Sequence, residues 1–129
     1  MGGTYHDLKV WQSAMELTVK IYRVSQRFPA HELYGLSSQL RRAIVSVASN
    51  IAEGKGRSSD KELLQFLSHA RGSTYEVQTQ LEIAQALGYL PASESQELLQ
   101  QAESVGRMLN GMMTKFRQAM QNPNLEPKA

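Results

Sequence analysis

Residues 36–57 read LSSQLRRAIVSVASNIAEGKGR, and their spacing decides the fold. Leu36, Leu40, Ala43, Ile44, Val47 and Ile51 recur at intervals of three and four, which at about 100° per residue places them on one core-facing stripe of an α-helix. Arg41 and Arg42 lie about 100° and 200° around the axis from Leu40 and cannot join that stripe. Arg41 instead shares its side with Val45, Ala48 and Ala52, a run of small or apolar residues that a second element can approach closely. The helix is therefore expected to be contacted on two sides. Gly54, with Gly56 repeating the signal, is expected to end it, because glycine takes the left-handed conformation of a helix C-cap without a Cβ penalty.

Working outward, the segment before this helix predicts another from about Asp7, as N-cap, to Arg27, where Phe28-Pro29 stops it. Its polar face is narrow and carries Lys9, Ser13, Glu16, Lys20, Arg23 and Arg27. Two apolar stripes remain: Leu8, Trp11, Met15, Val19 and Tyr22 form one, and Val10, Ala14, Leu17, Ile21 and Val24 the other. A lone bundle needs one stripe, so the second implies either a broad internal contact or a subunit interface. The interface reading is favoured and assigns Val10, Ala14, Leu17 and Ile21, with Val45 and Ala48, to contacts between protomers. On that reading Leu17→Glu or Ile21→Glu splits the oligomer and leaves the helices intact.

After GKGR, Ser59 and Glu62 have the spacing of a capping box, and Leu63, Leu67, Ala70, Thr74, Val77, Leu81 and Ala84 carry a third helix to about Leu87. Gly72 in its middle admits close helix packing or ligand access, and packing is favoured. Gly88-Tyr89-Leu90-Pro91 ends it, and Leu98, Ala102, Val105, Leu109, Met112, Phe116 and Met120 trace a fourth. Four amphipathic helices with short connections predict an all-α, antiparallel up-down-up-down four-helix bundle over residues 1–121, with a flexible tail at 122–129.

The 129 residues hold no cysteine, which removes disulfides, thiolate nucleophiles and thiolate metal sites and makes a cytoplasmic setting the expectation. No apolar run reaches membrane-spanning length, and the opening MGGTYH lacks the apolar core of a leader peptide. None of His6, His31 or His69 follows a glutamate by three, as bundle di-metal sites require. Glu62, His69 and Glu76 share a face, but about 10.5 Å of rise separates each neighbour, too far for one ion. EGKGRSS lacks the preceding strand and Gly-Lys-Ser/Thr ending of a P-loop, and no nucleophile elbow occurs. No catalytic residue, metal or cofactor is expected, and the protein reads as a non-enzyme.

Charge is segregated along the chain. Arg41, Arg42, Lys55 and Arg57 stand against Glu53 and Asp60 within residues 36–60, whereas residues 61–100 carry Lys61 and Arg71 against five glutamates. Each arginine can pair with an acid or cap a helix, but the set suggests a phosphate-binding surface with little aromatic content nearby for base stacking. Asn50 borders the core stripe, where fixing helix register is favoured over contacting a base.

The block QLRRAIVSVASNIAEGKGRSS closely resembles the signature of bacterial four-helix-bundle proteins encoded in intervening sequences of large-subunit ribosomal RNA genes, a family that includes the accessory protein of diversity-generating retroelements. The resemblance runs from about Tyr5 to Leu90 through DLKVWQSAMEL, LLQFLSHARGSTYE and LGYL. It implies a homopentamer of bundles side by side, association with RNA or DNA, and a reverse transcriptase as a possible partner. By analogy Arg41, Arg42, Lys55 and Arg57 are the nucleic-acid-binding positions. The alternative is a protein-interaction scaffold whose arginines serve subunit contacts.

Overall fold

The computed structural model describes residues 3–121 and folds them into α1 (Lys9–Ser25), α2 (Leu36–Lys55), α3 (Asp60–Ala86) and α4 (Ala92–Gln121), with short 3-10 turns at Tyr5–Asp7 and Ala30–Glu32. The tail expected over 122–129 lies outside the described residues. Each helix packs on its neighbours in sequence, and α1 closes the ring on α4. Paired contacts descend one helix as they climb the other along three seams: Arg27–Glu94 and Lys20–Gln101 for α1 and α4, Ser46–Ser73 and Gly54–Phe66 for α2 and α3, and Arg71–Asn110 and Thr74–Gly106 for α3 and α4, which also sets α2 against α1. The helices therefore run antiparallel. No strand occurs and no helix is long and apolar enough to cross a membrane among the described residues.

The stripe read on residues 36–51 is the centre of the core, where Leu40, Ile44, Val47 and Ile51 meet Leu67, Val77 and Leu81 of α3 and Leu109 and Met113 of α4, all fully buried. Each such side chain withdrawn from water stabilises the fold by about 1.5–3 kcal/mol. Ser59 opens α3 by accepting the Glu62 amide at 3.2 Å, but Glu62 takes the Ser59 hydroxyl at 3.3 Å instead of reaching the Ser59 amide, so half of the capping box forms. Gly88, at φ 80, closes α3 in a Schellman arrangement, its amide on Gln85 and the Tyr89 amide on Ala84.

Several expectations are corrected. Leu8, not Asp7, is the N-cap of α1, because Thr4 caps a preceding 3-10 turn that consumes Asp7. Gly54 is no cap: it is buried inside α2, where a Cβ would lie 2.9 Å from Phe66 Cβ and 3.1 Å from Leu63 Cδ1. Its missing side chain lets α2 and α3 approach closely. Gly72 shows the reverse: it is exposed in α3, and a methyl group there would have no neighbour within 4 Å, so it serves no packing.

The most consequential correction concerns α1. Leu17 and Ile21 are 1% and 0% exposed, and Val10 and Ala14 are equally buried, so these four fill the bundle interior and cannot contact another protomer. Their helix is turned with the Val10–Ile21 stripe inward and Met15, Val19 and Tyr22 outward, and Lys20, with Arg27 just past the helix end, meets α4. Ala48 is also buried, whereas Val45 is 41% exposed.

Where the α1–α2 and α3–α4 connections meet, Glu32 ties them together. Its carboxylate accepts the Leu36 amide at 3.1 Å and the Tyr89 hydroxyl at 2.8 Å, while the Phe28 and Tyr89 rings lie 5.5 Å apart. These bonds to the charged form, with His31 nearby, hold the Glu32 pKa below its usual value. By accepting the hydrogen bond of the neutral Tyr89 phenol, and also by opposing its phenolate, the same carboxylate raises the pKa of Tyr89.

Candidate functional site

The second helix spreads its four cations over two places. Arg41 and Arg42 sit in its second turn and Lys55 at its end, about 20 Å further along the axis. Arg57 follows in the turn to α3. The expected set is therefore two pairs rather than one patch, and its members have different company.

Arg41 is half-buried and held: its Nε donates to Ser25 Oγ at 2.8 Å, and its guanidinium lies 5.1 Å from the centre of the Tyr22 ring. Ser25 stays in place because its own hydroxyl donates to the Tyr22 carbonyl at 3.1 Å. Arg57 pairs with Glu53 at 3.3 Å and stacks 4.6 Å from the centre of Phe66. Both are engaged within the chain. Arg42 is exposed and Lys55 half-buried, and among the described residues neither has a carboxylate within 4.0 Å.

The fold also brings aromatic side chains to the arginines, against expectation. Tyr22 from α1, Leu33 and Tyr34 from the connection, and Arg41, Arg42 and Val45 from α2 line a shallow groove of about 610 Å³ without an acidic residue. Tyr34 is 93% exposed. Beside it, Phe28, Pro29, Ser37 and Arg41 border a second depression of about 460 Å³. Met15 and Val19 continue this surface down α1, with Val19 at 45% exposure. An apolar face thus runs along the outside of the α1–α2 pair. The signal was present in the sequence as the stripe assigned to the interior.

On the other side of α2, Arg42 leans over a polar groove of about 310 Å³ shared with α3 and lined by Gln39, Ser46, Ser73, Glu76 and Gln80. Ser46 and Ser73 hydroxyls lie 2.9 Å apart and bridge the helices. Asn50 donates to the Ser46 carbonyl at 2.8 Å and to its hydroxyl at 3.0 Å, so it acts within α2 and supports the bridge instead of crossing to another helix itself. Among the described residues no group of three or more histidine, aspartate or glutamate side chains is placed to hold a metal ion.

Residues 6–111 match the family model described as 23S rRNA-intervening sequence protein. No curated protein matches the chain. Among solved structures, the chain is similar to a Bacteroides thetaiotaomicron protein of unknown function from the S23 ribosomal protein family, with a TM-score of 0.76 at 18% identity over 81% of this chain and 97% of that one. At that identity the likeness concerns the fold.

Proposed function

Because the chain belongs to the 23S rRNA-intervening sequence protein family, we propose that it is a non-enzymatic bundle that assembles from copies of itself through the α1–α2 face and binds nucleic acid with the cations left free. The observation carrying this reading is the apolar face of Met15, Val19, Tyr22, Leu33, Tyr34 and Val45 on a bundle whose interior is already filled. Large apolar groups grouped on one face mark an association surface. A homopentamer is the arrangement the sequence resemblance implies.

The cations divide accordingly. Arg41, fixed by Ser25 and Tyr22 in the middle of the apolar face, suits a subunit contact, which is the scaffold alternative applied to that one residue. Arg42, on the ridge between the apolar groove and the α2–α3 groove, and Lys55, at the far end of α2, have no acidic partner among the described residues and suit phosphates, each presented once per protomer. Repetition by symmetry supplies the field that one mildly charged chain, at net +2, lacks.

Light scattering tests the assembly. Wild type scatters as an oligomer, and Val19→Glu with Val45→Glu lowers its mass while helix content holds; a monomeric wild type at micromolar concentration refutes the reading. Binding of a uridine-tract RNA at varied salt tests the cations. Arg42→Gln and Lys55→Gln each reduce the slope of log K against log salt by about 0.7 for every phosphate of this single strand that the residue neutralises. An unchanged slope in an intact double-variant oligomer removes these residues from the nucleic-acid surface.

A further inference from the structure

The outer side of α3 carries an apolar stripe that the bundle interior does not use. Tyr75, Thr79, Ile83 and Leu87 follow one another at every fourth residue and so line up along the helix over about 18 Å. Tyr75, Ile83 and Leu87 are 54%, 43% and 56% exposed. The polar member of the stripe is satisfied within the helix, since the Thr79 hydroxyl donates to the Tyr75 carbonyl at 2.9 Å. Glu76 and Glu82 stand beside the stripe, and among the described residues neither has a basic partner within 4.0 Å. No lysine or arginine occurs between Arg71 and Arg107.

We infer that this stripe is what the α1–α2 face receives from the neighbouring copy, so that copies join through unlike faces; the inference rests on the self-association reading above. Charge separates this pairing from the alternative. The groove of the α1–α2 face holds Arg41 and Arg42 and no acidic residue. Pairing that face with itself across a two-fold axis sets these arginines against their own counterparts, whereas the α3 stripe brings carboxylates to them. Height along the bundle agrees. Ser46 meets Ser73, and Arg41 meets Tyr22 and Ser25, so at about 1.5 Å per residue Tyr75 stands level with Val45 and Val19, and Thr79 with Arg41. Ile83 and Leu87 continue to the level of the connection that carries Leu33 and Tyr34. Copies related by rotation about an axis along the bundle keep equal heights, so stripe and groove meet over their whole length. Helix α3 adjoins α2 and lies diagonally across from α1, so the two faces are not back to back. Successive copies therefore turn in one sense, which closes a ring instead of extending a straight row.

Two surface-blocked proteins provide the test. Val19→Glu with Val45→Glu blocks the α1–α2 face, and Tyr75→Glu with Ile83→Glu blocks the stripe; all four positions are exposed in helices, where glutamate is well tolerated. Light scattering is expected to find each protein alone as a single chain. Their equimolar mixture is expected to double that mass and go no further, because the free stripe of the first enters the free α1–α2 face of the second and nothing adds to either end. A stripe-blocked protein that keeps the wild-type mass overturns the inference and leaves self-association through the α1–α2 face standing. A mixture that stays as single chains also overturns it. The chain has no cysteine, so single introduced thiols report contact in the assembled protein and decide the matter if a blocked protein loses helix content. Val45→Cys and Tyr75→Cys chains, refolded together and treated with a bismaleimide, are expected to give a two-chain product that neither gives alone. A product from Val45→Cys alone shows like faces in contact and overturns the inference, as does the lack of any product from the mixture. A wild type that is monomeric at micromolar concentration overturns both readings.

Discussion

Two glycine-to-alanine substitutions in this bundle should act with opposite sign. At Gly72 an added methyl meets open space, so the substitution collects the full difference in helix propensity, about 1 kcal/mol. Unfolding entropy scales to about 270 cal/mol/K for a chain of 129 residues, which turns 1 kcal/mol into a rise of about 4 °C in Tm. At Gly54 the same propensity gain opposes a collision, since the new Cβ falls 2.9 Å from Phe66 Cβ and 3.1 Å from Leu63 Cδ1. Phe66 Cβ cannot rotate away, because its position is set by the α3 backbone, so the helices must separate. Overpacking of this kind costs about 1–3 kcal/mol, and a contact fixed to backbone belongs near the top of that range, leaving a net loss of about 1–2 kcal/mol. Thermal unfolding followed by circular dichroism reads both effects. A Gly54→Ala protein more stable than wild type would refute close approach as the reason for that glycine, and a destabilised Gly72→Ala would show that something covers α3 there.

Other consequences are equally direct. Leu17→Ala should cost about 2–5 kcal/mol and Leu17→Glu should prevent folding, as circular dichroism and urea titration will show, because Leu17 is 1% exposed inside the bundle. Glu32, whose folded pKa lies below its unfolded value, stabilises the fold above the ordinary carboxylate range, and that contribution is lost as pH falls through the folded pKa. A Glu32→Gln protein should therefore show a shallower acid limb in Tm against pH, and an identical limb would remove Glu32 from that linkage. Tyr89, with its pKa raised, contributes below the unfolded phenol pKa and loses that contribution as pH climbs through the folded value, so Tyr89→Phe should flatten the alkaline limb.

Helices α2 to α4 were legible in the sequence because each carries one dominant apolar stripe, and one stripe fixes how a helix is rotated. Helix α1 carries two. Periodicity does not say which one turns inward; in the fold Val10, Ala14, Leu17 and Ile21 do, and Lys20 and Arg27 then meet Gln101 and Glu94, partners 81 and 67 residues away. The arginines of α2 were found by charge, yet their environments were not: Tyr22 lies under Arg41 through the packing of α1, and Tyr34 arrives through a connection with no helical repeat. Gly54 reads from the sequence as a helix end and Gly72 as a packing position, and their surroundings, α3 against Gly54 and open space around Gly72, overturn both readings.

The ring of four helices has seams of unequal kind. Three join consecutive helices, whose connections keep the ends close even when packing loosens. The fourth, α1 against α4, joins the extremes of the bundle and is clasped on its outer side by Arg27–Glu94, Lys20–Gln101 and Gln101–Ser13, the first two exposed. Closing it requires ordering the chain between those partners, and its clasps are of the exposed type that salt weakens. What holds this seam shut is therefore the burial of Val10, Ala14, Leu17 and Ile21 beneath it and not its surface clasps. Since α1 also contributes half of the outward apolar face, one helix both seals the interior and, in the assembly proposed above, would meet other copies of the chain.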